Sequence, residues 1–283
     1  MKLSVITINY NNAEGLRKTV ESVSAQTFCG DVEYIIVDGG STDGSKDIIT
    51  AHSGLLASWV SEPDSGIYNA MNKGVRMACG DYCLFMNSGD SFHSGDVLQK
   101  AMPLLDGTEF IIGRYMLIDS GELTSIEEPL TMMRFYTESV PHQATFIRRD
   151  LLLEEPYDES LRIVGDWKFF TKKLIVENLP YKFVDLVIAD YDCHGVSSTD
   201  VAQVQKERAK VYGELFPPRV MTDYLRFTKG GGYSDTAYDR FFVGLRDFDM
   251  TSKFIYKLDW LIVKAMSLFK KRLRFIRNIP LSN

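Results

Sequence analysis

Three aspartates of this 283-residue chain occupy positions where a carboxylate could do chemistry: Asp38, Asp90 and Asp166. Asp38 ends an apolar run and precedes two glycines, so its carboxylate could accept hydrogen bonds from ribose hydroxyls or a base N–H. Asp90 follows the buried run Tyr82–Met86 and the polar Asn87-Ser-Gly. Mg²⁺ and Mn²⁺ commonly bind through one or two carboxylates plus substrate phosphates. Since open α/β sheets bind ligands beyond the carboxyl ends of their strands, the acidic segment Glu62-Pro-Asp64 and Asp90 predict a nucleotide and a metal.

Each aspartate also has a structural interpretation, and taken singly both stay open. Asp38 fits an ordinary Asx turn, and Asp90 fits a cap before a helix expected over 93–106. Asp166 lies between Gly165 and Trp167 at the head of an amphipathic helix, where an aspartate commonly caps the helix. The functional alternative for Asp166 is a general base at the mouth of a pocket.

Other polar residues could complete such a site. No G-x-G-x-x-G motif follows the first strand, which argues against dinucleotide binding. That position instead carries Thr7-Ile-Asn-Tyr-Asn-Asn12, whose side chains could line a nucleobase pocket. His142 and Gln143 precede an apolar run and could hydrogen-bond sugar hydroxyls. His194, in a polar break, could contact a phosphate or a metal, although a lone loop histidine is more often just solvated.

The elements that must position these residues alternate along the first hundred residues. We expect strands at Leu3–Ile8, Glu33–Val37, Leu56–Val60 and Tyr82–Met86. Patterns with helical spacing separate them, including a helix from Ile67 to Ala78. Strands separated by helices of this length predict βαβ units and a mostly parallel sheet.

The later part of the chain is less regular. We expect strand runs at Phe110–Ile112 and Tyr115–Ile118, a strand at Gln143–Ile147, a strand hairpin over Tyr181–Ala189, and a helix from the cap Ser198-Thr-Asp200 to about Phe216. Residues 217–252 have the composition of a linker or a loosely packed extension. The domain prediction is therefore a nucleotide-binding half over 1–100, an acceptor-binding half over 101–216 and a C-terminal extension over 217–283.

Composition excludes several protein classes. The hydrophobic fraction of 45% and the charged fraction of 25% are typical of a globular protein, and a net charge of −6 argues against nucleic acid as a partner. No apolar run approaches the roughly 20 residues of a membrane span. The four cysteines lack zinc or disulfide spacing, and no signal peptide is visible, so we expect a cytoplasmic protein.

Basic charge is concentrated near the end of the chain. Residues 253–277 contain eight basic residues and one acidic residue, a local charge of +7 that leaves −13 for the remainder. Apolar residues recur there at three- and four-residue steps. Such a helix could lie on an anionic membrane surface, or it could dock on the catalytic domain or on a partner subunit.

Taken together, the polar segments resemble family 2 glycosyltransferases of the GT-A fold, nearest to the bacterial members that build surface polysaccharides. The resemblance covers roughly residues 1–200 and is carried by Ser4-Val-Ile-Thr-Ile-Asn-Tyr-Asn11, Val37-Asp-Gly-Gly-Ser-Thr-Asp-Gly44, Glu62-Pro-Asp-Ser-Gly-Ile-Tyr-Asn-Ala-Met-Asn-Lys-Gly74, Asn87-Ser-Gly-Asp90, His142-Gln143 and Gly165-Asp-Trp167. Each segment is weak alone, but the joint pattern is very specific. It implies a Rossmann-like, mostly parallel central sheet with flanking helices and a C-terminal helical extension.

The resemblance also implies an activity, which is inverting transfer of a hexosyl or N-acetylhexosaminyl unit from a nucleotide-diphosphate sugar, with UDP as the expected nucleotide. The acceptor would be a hydroxyl of a glycan or lipid-linked glycan in capsule, O-antigen or exopolysaccharide synthesis. The cofactor would be a divalent metal, Mn²⁺ or Mg²⁺. The enzyme would then be peripheral on the inner face of the plasma membrane, attached through residues 253–277.

Roles carry over residue by residue. The resemblance assigns Asp166 as the general base and Asp90 as the main metal ligand, to which we add His194 as a candidate. The residues expected to hold the nucleotide sugar are Thr7, Asn9, Tyr10, Asp38, Asp64, Lys73, Asn87, Ser88, His142 and Gln143. Two positions depart from the family pattern, since Ser88 replaces the first acid of the D-x-D motif and Asn69 stands where many relatives carry Asp.

Two other classes share parts of this pattern. A nucleotidyltransferase making an activated sugar would have a similar α/β layout and metal, but it should carry a glycine-rich, basic phosphate loop, which 9–15 lacks. A sugar-binding scaffold that has lost catalysis is compatible with Ser88. Hydrolysis of a nucleotide sugar in the presence of Mn²⁺ would separate this scaffold from an active transferase.

Overall fold

Strands and helices alternate through the first hundred residues, as the apolar runs predict. The computed structural model describes residues 1–27, 31–124, 129–192 and 200–228. Its strands are β1 (Lys2–Asn9), β2 (Asp31–Asp38), β3 (Ser58–Ser61), β4 (Tyr82–Phe85), β5 (Ser91–Phe92), β6 (Phe110–Leu117), β7 (Leu123–Thr124), β8 (Thr145–Arg148) and β9 (Tyr181–Tyr191). Its helices are α1 (Ala13–Ser24), α2 (Ser45–Ala51), α3 (Ile67–Met77), α4 (Val97–Ala101), α5 (Met132–Thr137), α6 (Arg149–Glu154), α7 (Gly165–Phe170), α8 (Val201–Leu215) and α9 (Pro218–Thr228).

The strands form one mixed sheet in the order β3-β2-β1-β4-β8-β6-β9-β5, with β7 paired to β6. Within the described residues, β3, β2, β1, β4, β6 and β9 run in one direction. The prediction of a mostly parallel α/β sheet of the GT-A type is therefore confirmed. Because β1 lies between β2 and β4, the polar residues that follow these three strands meet at one edge of the sheet.

Both faces of the sheet are covered, which explains why its strands are almost continuously apolar. Successive residues of β1 alternate between two core clusters, since Val5 packs with the residues of α1 while Ile6 packs with those of α3. Helix α3 lies very close to the sheet, because a Cβ at Gly74 would be only 2.5 Å from Cγ2 of Ile6. This contact fixes the helix that carries Tyr68.

Several expectations for the later part of the chain are corrected. The two runs near 110–118 form the single strand β6, and the expected hairpin over Tyr181–Ala189 is the single strand β9, which pairs with β6 in parallel and with β5. The helix expected over 93–106 is reduced to α4 and a 3₁₀ turn at Met102–Leu104. The strand expected at Gln143–Ile147 starts later, because residues 142–144 form a 3₁₀ turn before β8. β6 and β9 are each continuous because their pairing partners lie far along the chain, and those partners determine where a strand ends.

The C-terminal part divides at Pro217. Helix α8 begins after the predicted cap Asp200, whose side chain accepts a hydrogen bond from the Gln203 backbone N–H, and it ends before Phe216. Met1–Pro217 forms one compact unit, and Pro218 starts a second unit, of which the structure describes α9. The expected linker thus begins with a helix. None of the helices described is both long and apolar enough to span a membrane; the basic segment 253–277 lies outside the described residues.

Candidate active site

Polar side chains from three neighbouring strand ends are joined by hydrogen bonds. Asn9 ends β1 opposite Asp38, the last residue of β2, and its Nδ2 donates to Oδ1 of Asp38 at 2.8 Å. From beyond β4, the Ser88 hydroxyl donates to Oδ1 of Asn9 at 2.8 Å. Ser88, which replaces a family acid, thereby ties the loop after β4 to the loops after β1 and β2.

The Asp38 carboxylate is fully buried. Its oxygens already accept hydrogen bonds from other groups of the protein. Besides Asn9, the Ser41 hydroxyl donates at 2.5 Å and its backbone N–H at 3.0 Å, and the Ser61 hydroxyl donates at 2.7 Å. Burial alone would raise the pKa of Asp38, but these hydrogen bonds hold it below its ordinary value. In this arrangement Asp38 fixes the loop after β2, and its predicted contact with ribose gains no support from its position.

Thr7 is also buried within the sheet. Its hydroxyl donates to the Met86 carbonyl at 2.7 Å and lies 2.9 Å from the Tyr34 hydroxyl. These contacts link β1 to β2 and to the residue that follows β4. The prediction that Thr7 contacts the nucleotide therefore gains no support either.

Two of the predicted nucleotide-binding residues do reach the surface together. Tyr10 is 68% exposed, and Asp64 lies beside it across Gly39. A Cβ at Gly39 would be 2.5 Å from Oδ2 of Asp64 and 3.1 Å from Cδ2 of Tyr10. An aromatic ring and a carboxylate therefore flank bare backbone. Lys73 binds the two residues before Asp64, since its ammonium pairs with Glu62 at 2.9 Å and donates to the Pro63 carbonyl at 3.2 Å.

Asp90 is a buried carboxylate with an acidic neighbour. Its Oδ1 accepts a hydrogen bond from the Asp192 backbone N–H at 3.1 Å, and the Gln143 side chain also hydrogen-bonds to it. Burial, reinforced by the charge of Asp192, raises the pKa of Asp90 to about 6. The Asp192 carboxylate lies against Gly89, whose added Cβ would be 3.1 Å from Oδ2 of Asp192.

This pair of oxygen donors fits a hard divalent cation. Two nearby carboxylates repel each other, and a bound cation would relieve that repulsion. No group of three or more His, Cys, Asp and Glu side chains suited to a metal occurs in residues 1–27, 31–124, 129–192 and 200–228. Asp90 and Asp192 would hold the cation, with substrate oxygens and water completing its coordination. The other predicted ligand, His194, lies outside the described residues.

Asp166 stands in the first turn of α7 and is held by two side chains. Tyr68 donates to Oδ1 at 2.9 Å, and Nδ1 of His142 lies 2.9 Å from Oδ2. Burial would raise the pKa of Asp166, but the hydrogen bond and charge of His142 and the hydrogen bond from Tyr68 hold it below its ordinary value. The carboxylate is therefore ionised at neutral pH, with 17% of its side chain exposed to meet a substrate.

The adjacent residues His142 and Gln143 connect the two candidate acids, Asp166 and Asp90. His142 contacts Asp166 while Gln143 contacts Asp90, so one 3₁₀ turn links the candidate base to the candidate cation site. On its other side, Nε2 of His142 lies 3.0 Å from Nδ2 of Asn87. Both side chains contact the acids in the structure, and their binding to sugar hydroxyls stays a prediction.

Two residues of the site were missed by sequence reasoning. The sequence motif that contains Tyr68 predicts no role for it, and no sequence pattern points to Asp192. A local signal exists for Tyr68, because it lies in the first turn of the helix that follows the Pro63-Asp-Ser-Gly66 turn. Asp192 offered none, since its contact with Asp90 joins residues 102 positions apart.

Comparison with known proteins places this geometry in a family. The model of the family described as "Glycosyl transferase family 2" matches residues 4–155, which include β1 to β4 and the loop carrying Asp90. The chain belongs to glycosyl transferase family 2. It is similar to an uncharacterized glycosyltransferase of Mycobacterium tuberculosis, at 34% identity over 251 residues that cover 84% of this chain and 90% of the relative.

Solved structures share the fold of this family 2 glycosyltransferase. S. aureus TarS 1-349 in complex with UDP aligns with a TM-score of 0.58 and 21% identity, over 68% of this chain and 60% of the other. Glucosyl-3-phosphoglycerate synthase from Mycobacterium tuberculosis, in complex with Mn²⁺, UDP and glucosyl-3-phosphoglycerate, aligns with a TM-score of 0.52 and 16% identity, over 76% and 80% of the two chains. The nucleotidyltransferase and the inactive scaffold find no support in these comparisons.

Proposed function

We propose that this family 2 glycosyltransferase inverts the anomeric centre of a nucleotide-diphosphate sugar, with a UDP-sugar as donor and Asp166 as general base. The observation that carries the proposal is the linkage of Asp166 and Asp90 through His142 and Gln143. It brings an ionised carboxylate into the same site as a buried carboxylate suited to a cation. Both complexes with UDP described above support the choice of nucleotide.

The reaction needs one proton transfer and one leaving group. The acceptor hydroxyl attacks the anomeric carbon from the face opposite the nucleoside diphosphate, and the Asp166 carboxylate takes the hydroxyl proton as the new bond forms. A carboxylate of low pKa is basic enough to take this proton, because the attacking hydroxyl becomes strongly acidic as the new bond forms in the transition state. His142 and Tyr68 keep the carboxylate oriented while the proton moves.

A divalent cation, Mn²⁺ or Mg²⁺, would supply positive charge to the departing diphosphate as a Lewis acid. Asp90 and Asp192 are the side chains that would hold it. At the other end of the site, the Tyr10 ring and the Asp64 carboxylate flank Gly39 and would receive the base and the ribose.

The acceptor is proposed to be a hydroxyl of a glycan or lipid-linked glycan in the synthesis of a surface polysaccharide. The basic segment 253–277 would hold the enzyme at the anionic cytoplasmic face of the membrane, where such acceptors are found. This proposal rests on the sequence of that segment.

A donor panel tests the function. Binding to the folded state raises apparent stability, by about 2.7 kcal/mol at a hundred times Kd. We expect UDP-sugars with Mn²⁺ to raise Tm and to release UDP when acceptor is added. The Tyr10→Ala variant should lose the shift, whereas Ile118→Ala, an equally simple truncation of an exposed residue on the β6–β7 turn, should keep it. If no nucleotide sugar raises Tm or is consumed, the proposed function is wrong.

A further inference from the structure

The segment before the base is held by a carboxylate from a distant helix. Three consecutive backbone N–H groups, those of Arg162, Ile163 and Val164, donate to the side chain of Glu207 on α8, at 2.8, 2.9 and 3.1 Å. Consecutive N–H groups arranged in this way form a concave anion site. Here an acidic residue of the same chain fills it.

The carboxylate of Glu207 is buried, ionised and supported. Only 6% of the residue is exposed, and Nε2 of Gln203, one turn earlier on α8, donates to Oε1 at 2.8 Å. Burial opposes ionisation, but the hydrogen bonds from the three N–H groups and Gln203 lower the pKa of Glu207 below its ordinary value. Without Glu207 the buried N–H groups of Ile163 and Val164 would lose the partner that the structure gives them.

The held segment touches the base from two directions. The single proton of the Tyr68 hydroxyl is shared between the carbonyl of Ile163 and Oδ1 of Asp166, and the carbonyl of Val164 accepts a hydrogen bond from the Lys168 N–H in the first turn of α7. A shift of this segment therefore moves Asp166 and the side chain that orients it.

A second contact from α8 reinforces the first. Arg208, the residue after Glu207, places its guanidinium 4.8 Å from the centre of the Trp167 ring, and Trp167 directly follows Asp166. Partial burial of the Arg208 side chain makes this cation–π contact stronger than one on the surface. Helix α8 thus holds the residues on both sides of Asp166.

We propose that Glu207 is a positioning residue of the transferase, which sets the place of Asp166 by anchoring residues 162–164; the proposal rests on the function given above. A small displacement of a general base reduces turnover without weakening donor binding, because the donor contacts lie elsewhere in the site. Displacement by about 1 Å can reduce a rate about 100-fold.

The test begins with Glu207→Gln, which keeps the size of the side chain and removes one of its two acceptor oxygens. We expect kcat to fall about 10- to 100-fold while the KM for the donor changes less than about twofold. The matched control is Glu214→Gln on the same helix, where the carboxylate binds the Lys168 ammonium at 2.7 Å and is 38% exposed; it should keep wild-type kcat. Gln203→Ala leaves the carboxylate in place without its support, and should reduce kcat severalfold in a protein that folds normally.

A double-mutant cycle separates positioning from general stability. If Glu207 acts through Asp166, Glu207→Gln should have little further effect on the residual transfer rate of Asp166→Asn. Equal slowing in both backgrounds, or wild-type kcat in both Glu207→Gln and Gln203→Ala, would overturn the positioning role while leaving the proposed function intact. Wild-type turnover in Asp166→Asn alone would instead remove the base, and the positioning role with it.

Discussion

Replacing Gly165 by alanine tests whether close packing of Tyr68 against the start of α7 holds the base in place. A Cβ at position 165 would lie 2.8 Å from both Cδ2 and Cε2 of Tyr68 and 2.9 Å from Cζ. Ordinary contacts begin at 3.4 Å, so the ring would have to retreat by roughly 0.6 Å, a shift that well-packed interiors resist. Because the ring is buried and its hydroxyl donates to Asp166, its retreat would pull that hydroxyl away from the carboxylate.

The expected cost follows from two opposing effects. Overpacking a core destabilises by about 1–3 kcal/mol, whereas replacing glycine restricts the unfolded chain and recovers about 0.4–1 kcal/mol. We expect a net loss of about 1–2 kcal/mol in the free energy of unfolding, measured in urea. Turnover should fall about tenfold or more with donor KM unchanged, because the disturbed contact orients the base.

The control and the refutation use the same pair of assays. Gly213→Ala makes the same change on the exposed face of α8, where an added Cβ meets no atom within 4 Å, and should stabilise by about 0.5–1 kcal/mol with unchanged kcat. In a Tyr68→Ala background, Gly165→Ala should no longer destabilise. A Gly165→Ala enzyme with wild-type stability and turnover would refute the reasoning.

Three further outcomes are expected. Burial raises the pKa of Asp90 from 3.8 to about 6, so ionisation of this carboxyl destabilises the folded, metal-free protein. The free energy of unfolding should therefore fall as pH rises from about 4 through 6, and Asp90→Asn should raise it by about 1–3 kcal/mol in urea at pH 7.5. An Asp90→Asn protein that is no more stable than wild type would contradict the raised pKa. Both EDTA and the Asp90→Ala substitution should abolish transfer while the protein stays folded. Added Mn²⁺ or Mg²⁺ should restore activity after EDTA treatment but not in the variant. Full activity in EDTA would remove the cation from the mechanism. Deleting residues 253–283 should abolish binding to anionic liposomes while donor binding persists. In the intact protein, added salt should weaken liposome binding. An intact protein that does not bind anionic liposomes at low salt would exclude the membrane role.

The elements of the nucleotide-binding half were predictable because their signals are local. The apolar run of β1 and the helical spacing of α3 each decide one element without help from elsewhere in the chain. The position of Asp166 at a helix start was predictable for the same reason, and so was the cap at Asp200. The bounds near β6 and β9 were not, since their pairing partners lie tens of residues away.

The contacts that give the site its chemistry depend on tertiary structure. The bond from Tyr68 to Asp166 spans 98 residues, and nothing in either local sequence specifies it. The burial of Thr7 and the hydrogen bonds that fill the Asp38 carboxylate likewise follow from the arrangement of three strand ends. A sequence motif can locate these residues, but it does not show that their polar atoms are already hydrogen-bonded within the protein. Local sequence indicated Asp38, Asp90 and Asp166, whereas long-range packing determines which of their oxygens are already hydrogen-bonded within the chain.

Asp166→Asn tests the central claim most directly. Asparagine keeps the size of the side chain and can still bond to His142 and Tyr68, but it cannot take a proton from the acceptor. We expect a folded enzyme with a modest loss of stability in urea, because the folded protein favours the ionised form of Asp166. Donor affinity by calorimetry should be unchanged, with transfer slowed roughly 10²–10⁴-fold, the usual contribution of general-base catalysis. Transfer at the wild-type rate by a folded Asp166→Asn enzyme would contradict the account.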